Sequence, residues 1–379
     1  MLSIPLVLGA VLALCTGILW ADETPRVLAQ GSGTNGPKQP QAYVSSDGIV
    51  DVVYAVGDEI LVNTSRDRGA RFTRATTAIR CPNLSAGMRR GPRVVRTKSA
   101  LVVTAIGGKQ GKGRDGELFA WHSTDDGTTW SDMSTVNDVP AAAREGLHGM
   151  ATGPNGDVWC VWLDLRSGKT EVYTSSSTDD GQTWTKNALV YRSPGGSVCE
   201  CCHPSIMVND VSVNVMFRNS LAGSRDMYVA TSKNGGKAFT AAKKIGQGTW
   251  KLDACPMDGG MLTAGSKDSL VTVWRRDGEI FSAASTGGRE QLLGRGELPW
   301  VTSSTSGPVI VWTTGREGDL LLQSPAFKQP KKLAGAARDP MVSSAANGDG
   351  PVIVCWESKL NGQSVVLAAS VDVGKSKSR

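Results

Sequence analysis

Hydrophobic and polar positions alternate with a period of two through most of the chain, in short runs closed by Gly, Pro, Asn and Asp. Runs such as Glu59-Ile-Leu-Val-Asn, Glu117-Leu-Phe-Ala-Trp, Glu171-Val-Tyr-Thr-Ser and Asp226-Met-Tyr-Val-Ala predict half-buried strands. Upstream of each family of runs lies a strand that ends in an aromatic: Val52-Val-Tyr54, Cys160-Val-Trp162 and Val215-Met-Phe217. The same ending recurs as Val273-Trp274, Val311-Trp312 and Cys355-Trp356. Nothing in this pattern has the 3.6-residue period of a helix.

The strands belong to a repeat. Each unit opens on a dipeptide: Gln39-Pro40, Gly91-Pro92, His148-Gly149, His203-Pro204, Cys255-Pro256, Leu298-Pro299 and Asp339-Pro340. Seven openers predict an all-β fold, a single β-propeller of seven four-stranded antiparallel blades, with six blades as the alternative. The seventh unit has three strands, and Thr24–Gln30 resembles the fourth strand of other units, so an N-terminal strand is expected to complete it.

Four turns share a second signature: Ser65-x-Asp67-x-Gly69-x-x-Phe72, Ser123-x-Asp125-x-Gly127-x-x-Trp130, Ser177-x-Asp179-x-Gly181-x-x-Trp184 and Ser232-x-Asn234-x-Gly236-x-x-Phe239. A short Asp or Asn side chain can accept from turn N–H groups, Gly supplies the left-handed backbone, and the aromatic pins the returning strand. This is the Asp-box, and on it the chain resembles the sialidase-like, BNR-repeat propellers over essentially its whole mature length. Strand order puts the Asp-boxes on the face opposite the openers, so binding groups are expected at the openers.

Composition adds three points. Forty-five Gly fit many turns, and eleven Trp beside five Tyr and six Phe fit one aromatic position reused by a repeat. The net charge of +6 is dispersed, which gives no footprint for nucleic acid. Residues 1–21 read as a signal peptide or short anchor ahead of a propeller domain over 22–379, so the protein is expected to be secreted or periplasmic, and monomeric. No later run is long and apolar enough to span a bilayer as a helix.

The resemblance implies glycan-directed chemistry: an arginine triad for a sugar carboxylate, an acid, and a tyrosine nucleophile activated by a glutamate. Arg93, Arg218 and Arg276 suit the triad by location, with Arg90 as a further binding candidate and His148 and His203 at equivalent openers. Several guanidinium groups facing one funnel suit an anionic ligand. No tyrosine falls in a funnel loop beside a glutamate, so strict sialidase activity does not follow from the motifs. A glycoside hydrolase without that pair would need two facing carboxylates, for which Asp253 and Glu145 are the candidates. The other readings are a protein-binding scaffold and a metal or redox propeller.

The last of these rests on cysteines. Cys199-Glu-Cys201-Cys202-His203 and Cys255 open neighbouring units and should meet near the axis. Outside the cytosol, close cysteines form a disulfide by default. With His203 they also offer soft donors to zinc or copper(I). No other cofactor is expected.

Overall fold

The computed structural model describes residues 24–111, 113–266, 269–284 and 289–374. The leader or anchor expected over 1–21 lies outside them. Among the described residues the structure is all-β, with one 3-10 turn at Gly33–Asn35 and no helix long and apolar enough to cross a membrane.

Five blades are separate four-stranded antiparallel sheets in simple meander order. The first runs Lys38–Val44, Val50–Val56, Glu59–Ser65, Ile79–Arg80, and the second Arg93–Arg96, Leu101–Gly107, Glu117–Ser123, Ser134–Thr135. The third runs His148–Thr152, Val158–Asp164, Glu171–Ser177, Ala188–Tyr191, and the fourth Ser205–Asn209, Ser212–Arg218, Met227–Ser232, Lys243–Lys244. The fifth is Met261–Ala264, Leu270–Arg276, Glu279–Ala284, Gln291–Arg295.

The remainder is one curled seven-stranded sheet, not two separate blades. Its central strand, Lys331–Ser343, is 13 residues long and serves two neighbours. Lys331–Ala337 pairs with Gly318–Gln323, and Arg338–Ser343 pairs with Val352–Leu360. The strand turns between these halves at Ala336 and Asp339, whose φ angles are 49° and 43°. The N-terminal strand Arg26–Gly31 pairs antiparallel with the last strand, Gln363–Val371.

The recurring aromatics explain why blades stack. Trp162, Phe217, Trp274, Trp312 and Trp356 all sit in second strands and are buried. Strands there carry apolar residues on both faces because each sheet is sandwiched between two others. Second strands such as Val158–Asp164 and Leu101–Gly107 are buried throughout.

The Asp-boxes form the turns between third and fourth strands, as strand order requires. In the box at Ser123 the hydroxyl donates to Asp125 Oδ1 (2.8 Å) and accepts from Gly127 N (2.8 Å), while Thr129 N donates to the same carboxylate oxygen (2.8 Å). The copies at Ser65, Ser177 and Ser232 repeat these three bonds, with the Asn234 amide oxygen replacing a carboxylate in the last. Asp67 and Asp125 are held down at about 2, led by a side-chain bond from Arg71 Nε to the first and from Thr129 Oγ1 to the second, with the turn's own bonds adding to each.

The glycines do more than turn. A Cβ on Gly181 would lie 2.7 Å from Val102 of the preceding blade, and one on Gly236 would lie 2.5 Å from Trp159. The boxes at Gly69, Gly181 and Gly236 therefore nest against a neighbouring sheet, the first against Ile353.

Candidate functional site

Openers bend because proline follows a residue in a strained backbone. Gln39, Leu298 and Asp339 each precede Pro with φ of 54°, 56° and 43°, and the pairing register slips at all three. The bends turn backbone carbonyls toward the axis, where buried arginines meet them. Arg89 is 1% exposed and donates through Nη1 to Pro340 O (2.7 Å) and through Nη2 to Leu298 O (2.6 Å). Its guanidinium also lies over the Trp300 ring, 5.0 Å from the centroid.

The predicted ligand-binding arginines separate into three groups. Arg93 is buried, and its guanidinium donates to the carbonyls of Arg89, Gly91 and Pro92. Burial and the neighbouring Arg89 charge push it down to about 9. Arg218 donates to the carbonyls of Asp258, Arg225 and Arg275. Arg276 forms a two-bond pair with Glu290 (2.7 and 2.9 Å), which holds Glu290 down at about 2. The structure brings Arg93 together with Arg89, but Arg276 is held in its own ion pair.

Arg90 differs. Its Nε donates to the backbone carbonyl of Glu145 (2.7 Å). Among the described residues, Arg90, Arg144 and Arg225 form no ion pair within 4.0 Å, although Arg90 and Arg144 act on Glu145. Glu145 is half-buried, and its carboxyl is raised by burial and then by the charge of Glu200, against the pull of Arg90 and Arg144. Glu200 is exposed and accepts from Thr170 Oγ1 (3.3 Å). The other predicted carboxylate, Asp253, is exposed on the fifth opener and makes no hydrogen bond or ion pair among the described residues. The partner that the structure supplies for Glu145 is thus Glu200, a residue the sequence hid between two cysteines.

The histidines turn inward. His148 is fully buried with Nε2 3.0 Å from Thr104 Oγ1. His203 stacks on Trp300 with centroids 5.6 Å apart, and neither ring nitrogen has a hydrogen-bond partner. Burial drives both far below the ordinary imidazole range, helped by Arg93 at His148 and by Arg89 at His203. Two further acids stand among the openers, of which Asp258 was missed. Asp258 is fully buried, accepts from Leu298 N (2.8 Å), and is raised by burial. Glu357 accepts from Gln39 N (2.7 Å) and is pushed up to about 7 by burial and by Asp339. Asp258 lies three residues beyond Cys255, and only its opener position hinted at it.

The expected disulfide is absent among the described residues. Residues 199–202 form a tight turn instead of a strand, so neighbouring sulfurs converge without bonding. Cys199 Sγ lies 3.6 Å from Cys201 Sγ and 3.5 Å from Cys202 Sγ, and the latter two are 4.0 Å apart. A disulfide needs about 2.05 Å. Thiol donors from Cys201 and Cys202, then the Arg218 charge, hold Cys199 down at about 3. Cys255 is exposed, and the neighbouring Cys201 and then burial push its thiol up to about 11. Three buried thiols on one turn make a donor set; His203, turned to Trp300, is not in it.

Four-stranded meander blades around an axis, with Asp-box turns on one end and polar openers on the other, define a β-propeller. The chain belongs to the BNR repeat-like domain family, whose model matches residues 91–307, more than half its length. No curated protein sequence matches it. Among solved structures it is similar to an α-L-arabinanase of Penicillium chrysogenum complexed with arabinobiose (11% identity, 92% of this chain and 98% of that one, TM-score 0.54). It is also similar to an α-L-arabinofuranosidase of Fusarium graminearum with an iminosugar inhibitor (12%, 93% and 98%, 0.52). A third is an ulvan lyase of polysaccharide lyase family 25 bound to -[GlcA(1-4)Rha3S]- (10%, 90% and 96%, 0.56). At these identities the likeness is one of fold.

Proposed function

We propose that this protein is an exported, monomeric propeller of seven blades that binds and acts on an anionic glycan at the openers of its second to fifth blades. The observation that carries this reading is the contrast among arginines. Arg89, Arg93, Arg218 and Arg276 have their guanidinium groups taken up by several carbonyls or by Glu290. The Arg144 and Arg225 side chains meet no protein acceptor among the described residues, and Arg90 gives only Nε to the Glu145 carbonyl, which leaves their charge for a ligand beside Glu145 and Glu200. A guanidinium without a protein carboxylate matches a uronate or sulfate group in two-bond geometry. Glu145, kept partly from water, suits the acid that protonates a leaving glycosidic oxygen, and exposed Glu200 suits its ionised partner. The seven-blade reading is supported by the two pairing halves of Lys331–Ser343 and by the packing of Lys38–Val44 against that strand and Val352–Leu360. The glycan complexes of the similar folds support the ligand class, and the apolar leader supports export.

Calorimetric titration with uronate-bearing and sulfated oligosaccharides tests the reading. Binding is expected, weakened more than tenfold by Arg144→Ala with Arg90→Ala, and any bond cleavage should vanish in Glu145→Gln. Failure of every such oligosaccharide to bind at millimolar concentration would remove the proposal.

A further inference from the structure

The Cys199–Cys202 turn takes no part in that reading, yet its geometry is that of an ion-binding donor set. In tetrahedral thiolate sites with metal–sulfur bonds of about 2.3 Å, neighbouring sulfurs stand about 3.8 Å apart. The three sulfurs here are separated by 3.6, 3.5 and 4.0 Å. An ion about 2.3 Å from each would stand about 0.8 Å off their plane, which is where a tetrahedral centre places itself when a fourth donor completes it. Two further sulfur residues stand beside the triangle: Met257 packs on it, and Cys255 of the fifth opener neighbours Cys201. No aliphatic side chain belongs to this cluster. Buried thiols elsewhere in the chain, such as Cys355, lie in the aliphatic core. The turn also solves the problem of adjacent residues pointing apart, since its backbone sets Cys201 and Cys202 on the same side as Cys199.

We propose that Cys199, Cys201 and Cys202, completed by Cys255, bind one thiophilic closed-shell ion, zinc(II) or copper(I). An all-sulfur set selects these ions over oxygen-seeking ones such as magnesium or calcium. Binding releases the thiol protons, and the resulting negative charge faces the guanidinium groups of Arg218 and Arg225. Three donors are buried and Cys255 is exposed, so the fourth corner is the entry path. The ion bridges the fourth and fifth openers and stands beside Glu145 and Glu200, so it would also fix one wall of the glycan site.

The test is metal content together with thiol counting on the full chain. Protein handled anaerobically, stripped, and reloaded separately with zinc(II) and copper(I) is expected to retain about one ion per chain through gel filtration. The loaded form should shield four thiols from an aromatic disulfide reagent under native conditions. Cys201→Ser should lower retention more than tenfold. Cys255→Ser, at an exposed position, should keep the fold and lower affinity at least tenfold. Retention of either ion with these losses supports the site and names its occupant. Retention of neither ion, or equal thiol reactivity with and without them, overturns it. So does a Cys199–Cys202 disulfide that forms equally fast in the presence of either ion.

Discussion

The Arg89 guanidinium donates to the carbonyl oxygen of Leu298 at 2.6 Å, joining two openers that lie 209 residues apart in sequence. It also reaches Pro340 O at 2.7 Å, so one side chain ties the second blade to both inner ends of the curled sheet. Replacement by Ala would leave two buried carbonyls without donors and a void beside Trp300. Each orphaned acceptor costs about 1–3 kcal/mol, so Arg89→Ala should destabilise by about 3–5 kcal/mol. Arg89→Lys should recover little, since an ammonium lacks the fork that spans both carbonyls. Urea denaturation measures both variants; wild-type stability in either would contradict this role.

The Asp-box nests against its neighbouring blade, and Gly181 tests this. Its φ of 80° disfavours any side chain, and a Cβ there would lie 2.7 Å from Val102 Cγ1. Gly181→Ala should cost about 2–4 kcal/mol, from backbone strain and the clash together. Combining it with Val102→Ala relieves the clash alone, so the double-mutant cycle should show a favourable coupling of about 1 kcal/mol. Strict additivity would mean that the box and Val102 do not press on each other.

These two cases also mark how far the sequence could be read. Asp-boxes were legible because all their bonds close within eight residues, as between Ser123 and Thr129. Openers were legible as positions, since Gln39, Leu298 and Asp339 precede proline. The destinations of the arginines were not, because Arg89 and Arg218 end on backbone carbonyls, which carry no residue code. The cysteine turn was hidden for a related reason. Alternation in a strand would separate Cys201 from Cys202, and only the actual backbone shows the bend that unites them.

Arg276 and Arg144 offer a direct comparison within the proposed function. Both are arginines at blade ends, but Arg276 is neutralised by Glu290 while Arg144 has no ion-pair partner among the described residues. Arg276→Gln should therefore change affinity for an anionic oligosaccharide by less than twofold, at about 1 kcal/mol of stability. Arg144→Ala should weaken binding by roughly tenfold, the loss of about one charged hydrogen bond. Parallel titrations decide it, and the reverse order of effects would place the ligand at the Arg276 end.

Glu357 makes stability depend on pH in a way that can be isolated. Its carboxyl, ordinarily near 4.5, is pushed up to about 7 in the folded chain by burial and then by Asp339. Between those values the native state holds a proton that the unfolded chain has released. Stability from this group is therefore full below about pH 4.5 and falls as pH rises toward 7, by up to about 1.4 kcal/mol per unit. The buried neutral histidines 148 and 203 act with the opposite sign, since unfolding lets them take protons below about 6.5. The total curve mixes these effects, but the difference between wild type and Glu357→Gln does not. Gln keeps an oxygen to accept from Gln39 N, the 2.7 Å bond, and has nothing to ionise. The stability difference, variant minus wild type, should grow by about 2–3 kcal/mol from pH 4.5 to pH 8. Urea melts at four pH values measure it, and a flat difference would show that Glu357 titrates as an ordinary exposed acid.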